Sequence, residues 1–318
     1  MNQVKSILKD FYDIDISGVL PQQGGWASLA YKVLNKNQSY FLKVYEKSRA
    51  STPKLTALID QYVPILVWLI NNSSLNGKIT VPLITNSGEY KCEDENAIYL
   101  LYDYIEGETI GDRDLTDDQV HQFSKIITEL HSYEDIPIGT DAIKEDFDVP
   151  FIQSLRQKLK NGREDLQDDV WTIINSCISP LNNLIQTVEV LSQNLKNCDL
   201  RMALCHTDLH YWNLMQSGQG LILIDWEGLK LAPVEADLMF LVDKPYFAEF
   251  LSVYQNTTHR NFEINPHVLK FYQGRRRLED IWEFIEQLLY DEQDEQERYL
   301  TKNYLRKELN SIGGNFKF

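Results

Sequence analysis

The chain has 318 residues and a mass of 37.1 kDa, room for one large domain or two ordinary ones. Its 43% hydrophobic and 25% charged residues are a globular composition, which excludes a disordered or fibrous chain. Lys and Arg number 31 against 47 Asp and Glu, a net charge of −16 that argues against a general nucleic-acid partner and suits a cationic one.

In chain order, Val4, Ile7, Leu8 and Phe11 fall at helical spacing and predict an opening amphipathic helix. Segments 28–34 and 39–45 are rich in Tyr, Phe and Val and flank Asn35-Lys36-Asn37-Gln38, the pattern of a β-hairpin. Gly24-Gly25 before it marks a tight turn between two strands. A helix is expected within 53–72, kinked at Pro64, where the backbone lacks a donor. Segments 79–84 and 97–104 read as buried strands, and Glu106-Gly107-Glu108 as a polar break. Val120, Phe123, Ile126, Ile127 and Leu130 line one face of a helix over 117–131. Residues 149–197 are helical in pattern with a break near 177–180. Short apolar strands follow at 202–205 and 221–224. Leu278, Ile281, Trp282, Ile285, Leu288 and Leu289 form a helical stripe within 275–289. The acidic run at 291–297 reads as a solvated helix face.

Cys92, Cys177, Cys198 and Cys205 form no C-x-x-C pair and are expected as reduced, mostly buried thiols. No apolar run reaches the ~20 residues of a membrane span, and the first residues lack the apolar core of a signal peptide. The expectation is a cytoplasmic protein with no membrane partner. It divides into a small strand-rich part, 1–104, and a larger helical part, 105–318.

The chemistry-bearing stretch is L-C-H-T-D-L-H-Y-W-N-L-M at 204–215. It holds His206, Asp208 and Asn213 as H-x-D-x-x-x-x-N, and Asp225 follows Asn213 by twelve residues at the end of the apolar run L-I-L-I. This is the order of parts used in kinase-type phosphoryl transfer: a base, a metal-binding Asn, and a metal-binding Asp after a strand. One loop can point a base and a metal ligand into the same cleft, while the strand fixes the second carboxylate. Lys43, within S-Y-F-L-K-V-Y, can meet nucleotide phosphates, and Gly24, Gly25 and Ser28 on the preceding turn can cover them with backbone N–H groups. A competing reading makes His206, Asp208 and His210 a metal site. Glu279 and Asp280 stay open between local ion pairing with Arg275–Arg277 and an acceptor site for ammonium groups.

These motifs, with I-D-W at 224–226, L-A-P-V-E-A-D-L-M-F at 231–240 and R-L-E-D at 277–280, resemble the aminoglycoside phosphotransferase family, and within it the spectinomycin phosphotransferase branch. The resemblance implies an α+β, bilobal protein-kinase-like fold with a small β-rich, nucleotide-binding N-lobe and a larger helical C-lobe carrying the catalytic loop and acceptor site. It implies that Asp208 is the catalytic Asp and that Asn213 and Asp225 hold Mg2+. Lys43 would contact the α- and β-phosphates of ATP or GTP. Asp60 would be its acidic partner, with Glu46 as competitor, and Asp103, Tyr104 and Ile105 would form the hinge that binds the base. His206 would be structural and Asp237 a brace. D-F-G and A-P-E are absent, so a small, cationic molecule is the expected acceptor: an aminoglycoside or an aminocyclitol such as spectinomycin. The alternatives are choline, a sugar or an amino alcohol as acceptor, or a nucleotide-binding regulator without turnover.

Overall fold

Alternation along 39–46 organises the N-terminal sheet. In the computed structural model, which describes residues 2–22, 28–258 and 262–315, Tyr40, Leu42 and Val44 join one buried apolar cluster with Val33, Tyr99 and Leu101. Lys43 and Tyr45 take the opposite parity and so the opposite face. Helix α1 (Asn2–Tyr12) lays Ile7 and Leu8 onto the apolar cluster, as its spacing predicts.

Strands β1 (Gly18–Gln22), β2 (Leu29–Leu34) and β3 (Ser39–Glu46) precede α2 (Thr52–Thr56) and α3 (Ile59–Asn72). Then come β4 (Cys92–Glu93), β5 (Ala97–Asp103), β6 (Gly107–Thr109) and α4 (Asp117–Leu130). Three helices follow, α5 (Phe151–Asn161), α6 (Asp168–Asn175) and α7 (Ile178–Leu195). Next are β7 (Ala203–Cys205), β8 (Leu214–Ser217), β9 (Gly220–Leu223) and β10 (Lys230–Ala232). The chain closes with α8 (Glu235–Leu238), α9 (Phe247–Thr258), α10 (Pro266–Tyr290) and α11 (Glu295–Asn315).

The five-stranded sheet is antiparallel in the order β1-β2-β3-β5-β4, with Lys43 between Ala30 and Leu100. Two smaller sheets pair β10 with β7 and β6 with β8 and β9. The elements form two compact units: Met1–Lys47, Thr52–Lys144 and Arg201–Glu263 in the first, and Ser48–Ser51, Glu145–Leu200 and Ile264–Phe318 in the second.

In the first unit, α4 starts on a capping box between Thr116 and Gln119 and packs Phe123 against Phe250 of α9, ring centroids 6.0 Å apart. Helix α3 runs on through Pro64. Two expectations fail here. Residues 79–84 form no strand: Ile79 makes one isolated bridge to Leu223, and Pro82 has no N–H for a ladder. The polar break at 106–108 is instead the start of β6, where Gly107 meets Ser217 in register; a Cβ there would lie 2.4 Å from the Gln216 carbonyl oxygen, so only glycine fits.

The second unit is helical among its described residues. The break expected near 177–180 falls before α7, whose Pro180 sits in the first turn, where a missing N–H costs nothing. Helix α10 buries Leu278, Ile281, Trp282, Ile285 and Leu288, and the stripe extends N-terminally to Val268 and Phe271. None of the four cysteines is in a disulfide; Cys92 and Cys205 are buried and Cys198 is exposed. Among the described residues no helix is long and apolar enough to cross a membrane.

Candidate active site

Strand β7 is fully buried and delivers the chain into the loop that begins at His206. Thr207 adopts φ 67°, a left-handed conformation uncommon for a β-branched residue. Asp237, wholly buried at the end of α8, holds that turn. One of its oxygens accepts the His206 N–H at 3.0 Å and the other the Thr207 N–H at 2.5 Å. His131, just past α4, donates from Nε2 to the same carboxylate at 2.9 Å, while its Nδ1 lies 3.1 Å from the Tyr254 hydroxyl. Thr207 Oγ1 donates to the Gly228 carbonyl at 2.7 Å; a Cβ on Gly228 would meet that hydroxyl at 2.4 Å and the His206 carbonyl at 2.9 Å. The loop is therefore tied both to α8 and to the turn after β9.

His131, Cys205 and Asp237 offer ligand atoms within 4.8 Å of one another. Their bonds make them a brace and not a metal centre: Asp237 is taken by two loop N–H groups and His131, and the Cys205 thiol points to the carbonyls of Ala232 and Pro233. His206 is structural as well. Its Nε2 lies 2.9 Å from the Ile224 carbonyl, which can only accept, so Nε2 carries the proton and Nδ1 accepts the Asp208 N–H at 3.3 Å. One neutral tautomer satisfies both contacts, which removes His206 from the competing metal reading.

Asp208 then projects its carboxylate beside Asn213. The Asn213 amide nitrogen donates to the Asp208 carbonyl at 2.9 Å and to Oδ2 at 3.0 Å, and His210 Nε2 lies 3.3 Å from that oxygen. Backbone pairing of Ile224 with Asn213 at 3.0 Å carries the chain from this loop to Asp225. Asp225 has φ 64°, another left-handed non-glycine, and its carboxylate is 41% exposed. Trp226 behind it is buried, with its ring 4.6 Å from His206 and its N–H on the Leu223 carbonyl.

Lys43 reaches this turn from β3. Its ammonium lies 2.9 Å from Asp225 Oδ1 and 2.5 Å from Glu227 Oε1. Burial disfavours the charge, but the two carboxylates outweigh it and hold Lys43 well above the usual lysine range. The Tyr45 hydroxyl, on the same face of β3, donates to the same oxygen of Glu227. Burial pushes the phenols of Tyr45, Tyr62 and Tyr102 upward, with Glu227 adding to the effect on each, so neutral phenols surround the ion cluster.

The expected partner of Lys43 is corrected. Asp60, in the first turn of α3, bonds Lys91 at 2.5 Å. Glu46 lies three residues along β3 from Lys43 and so on the other face. The carboxylates on Lys43 are Asp225 and Glu227. Ser28 is buried just before β2, whereas Gly24 and Gly25 lie outside the described residues. Asp103 ends β5 opposite Tyr40, Tyr104 donates its N–H to the Ser39 carbonyl at 3.3 Å, and Ile105 follows. Glu279 and Asp280 lie on α10 in the second unit, paired with Arg275 at 3.1 Å and Arg276 at 2.9 Å.

Sequence reasoning missed Glu227, Tyr45, His131 and Tyr254. The only sequence signal for Tyr45 was its parity with Lys43, and for Glu227 its place two residues after Asp225.

Magnesium takes hard oxygen ligands in a small, charged site. The Asn213 amide nitrogen is spent on Asp208, which leaves its amide oxygen, and Asp225 adds an accessible carboxylate, so these residues fit such an ion.

Residues 19–272 match the family model described as the phosphotransferase enzyme family. No curated protein matches the chain. Among solved structures, the spectinomycin phosphotransferase APH(9)-Ia, in complex with ADP and spectinomycin, is 22% identical, covers 98% of this chain and 97% of its own, and has a TM-score of 0.74. A microcompartment-associated aminopropanol kinase is 12% identical, with 98% and 96% covered and a TM-score of 0.64. The choline kinase LicA from Streptococcus pneumoniae is 18% identical, with 98% of each chain covered and a TM-score of 0.56. The fold is the protein-kinase-like one, an antiparallel five-stranded sheet followed by a largely helical region. With its family model matched from before β2 into α10, the chain belongs to the APH phosphotransferase enzyme family.

Proposed function

We propose that this protein transfers the γ-phosphoryl group of ATP, with GTP as the alternative donor, to a hydroxyl of a small cationic molecule. The observation that carries this reading is the ion cluster in which Lys43 of β3 meets Asp225, a residue 182 positions further on that the same loop links to Asp208. In this reading 1–104 is the nucleotide lobe and 105–318 the lobe for catalysis and the acceptor. Lys43 binds the α- and β-phosphates. Gly24, Gly25 and Ser28 cover them, and the backbone of Asp103, Tyr104 and Ile105 receives the base.

Asn213 and Asp225 hold Mg2+, which when bound neutralises phosphate charge. Asp208 accepts the proton of the attacking hydroxyl, with its Oδ2 held in place by the Asn213 amide. Most of the rate enhancement then comes from alignment and charge neutralisation, since phosphoryl transfer asks little covalent chemistry of the protein.

An aminocyclitol such as spectinomycin or an aminoglycoside is the leading acceptor, supported by the net charge of −16 and by the likeness to APH(9)-Ia. Glu279 and Asp280 are the proposed acidic ligands of its ammonium groups. A metabolic amino alcohol is the second reading, favoured by the likeness to the aminopropanol and choline kinases. The test is Mg2+-dependent nucleotide consumption against spectinomycin, aminoglycosides, choline, amino alcohols and sugars, with mass detection of the phosphorylated product. A phosphorylated aminocyclitol or aminoglycoside supports the first reading, and a phosphorylated amino alcohol or choline the second. Nucleotide binding without any product points to a regulator and contradicts both.

A further inference from the structure

We propose that Glu227, and no acid of α3, is the residue that positions Lys43 on the nucleotide phosphates; the inference rests on the phosphoryl-transfer reading above. Lys43 has two carboxylates to choose from, and their surroundings differ. The Asp225 side chain is 41% exposed and that of Glu227 only 11%. An accessible carboxylate can exchange its lysine for another cation, whereas a buried one that lost its only cation would be left uncompensated. Glu227 is moreover held by a second group. Its Oε1 accepts both the Lys43 ammonium and the Tyr45 hydroxyl, two groups on one face of β3.

Helix α3 has nothing to offer in its place. Asp60 is its single acidic residue and is bonded to Lys91. Its buried face is Ile59, Tyr62, Val63, Ile65, Leu66 and Leu69. Among these the polar atom is the Tyr62 hydroxyl, buried without a hydrogen-bond partner, so α3 contributes a neutral phenol where an acid was expected. The anchor of Lys43 therefore comes from the turn that also carries Asp225. Through Gly228 and Thr207 Oγ1 that turn is tied to the Asp208 loop. Phosphate contact and catalytic loop are set by one short segment, and α3 is spared that task.

The test compares the full-length wild type with Glu227→Gln, Glu227→Asp, Tyr45→Phe and Asp60→Asn. Mg–ATP affinity is read by fluorescence titration, and kcat and both KM values with the best acceptor by steady-state kinetics. Glu227→Gln should weaken Mg–ATP binding about tenfold and lower kcat about 100-fold, with acceptor KM within about twofold. Glu227→Asp should recover part of the kcat loss. Tyr45→Phe, which keeps the ion pair and guards against a Glu227 variant that fails to fold, should lower kcat about threefold at unchanged acceptor KM. Asp60→Asn should match the wild type in every constant. The proposal is overturned if Asp60→Asn loses as much as Glu227→Gln, or if Glu227→Gln keeps wild-type Mg–ATP affinity and kcat. A parallel rise of acceptor KM in every variant also overturns it, because it marks a general structural defect. A wild type that neither binds nor turns over Mg–ATP instead removes the phosphoryl-transfer reading itself.

Discussion

Each of the two compact units buries a charged network, and the two networks are built differently. In the second unit Glu145, with no exposed side-chain surface, accepts two contacts from Arg275 at 3.0 and 3.1 Å, the Tyr272 hydroxyl at 3.3 Å and the Phe147 N–H at 2.8 Å. Arg275 passes on to Glu279, and both carboxylates keep its guanidinium above the usual range despite burial. Glu145 and Arg275 are enclosed, and Glu279 at the end of this network is 23% exposed. In the first unit Lys43 and Glu227 are equally enclosed, but Asp225 opens to solvent and stands in a left-handed backbone conformation. A network enclosed at Glu145 ties α10 to segment 145–147. One with a single exposed member can trade that contact for a ligand, which is what phosphate and metal binding require.

Substitutions can break this contrast. The largest effect belongs to Asp208→Ala, which should lower kcat by ~10³-fold or more while leaving nucleotide affinity within about threefold. Single-turnover kinetics with a nucleotide titration checks both halves. In the second unit, Glu145→Ala should cost about 3 kcal/mol of stability in urea unfolding, because it strips the buried Arg275 of one of its two carboxylates. The specific activity of the folded fraction should then measure what that unit contributes to turnover.

Gly228→Ala should sit between structural and catalytic damage. Its Cβ would collide with Thr207 Oγ1 and the His206 carbonyl, so kcat should fall about tenfold with ~1–2 kcal/mol of destabilisation, read by kinetics and melting together.

The smallest effect concerns Asp280, whose carboxyl is pushed up to about 7 by burial, with Arg276 opposing and Glu308, Glu283 and Glu279 adding to the rise. An acid raised in the folded state stabilises the fold below its unfolded pKa and withdraws that stability as pH rises through its folded value. Wild-type stability should therefore fall between about pH 4 and 7 by about 1 kcal/mol, since the side chain is still 30% exposed. Asp280→Asn should flatten that slope in melting curves taken across the window.

What the residues revealed before folding follows a physical line. Lys43, Asp208, Asn213 and Asp225 were legible because each sits in a local pattern: a strand of alternating residues, a loop of fixed spacing, an apolar run ending in Asp. Glu227 was passed over because its partners on β3 lie more than 180 positions away. The bond from His131 to Asp237, 106 residues apart, was equally hidden, although His131 closes the helix read over 117–131. Asp60 misled for the reverse reason. Its place at the start of a helix looked right, but Lys91, remote in sequence, claims its side chain. Segment 79–84 shows the same limit for secondary structure. Its apolar pattern suits a strand, yet it finds only one bridge to pair with.

In the proposed function Asp208, held by Asn213, makes this chain a working small-molecule kinase. The most direct measurement is mass-detected phosphate transfer from Mg–ATP to the acceptor panel, run side by side with wild type and Asp208→Ala. One phosphorylated amino-bearing acceptor is expected with the wild type and at most a trace with the variant, at matched nucleotide affinity. Equal product from both proteins, or none from a wild type that binds Mg–ATP, would contradict it.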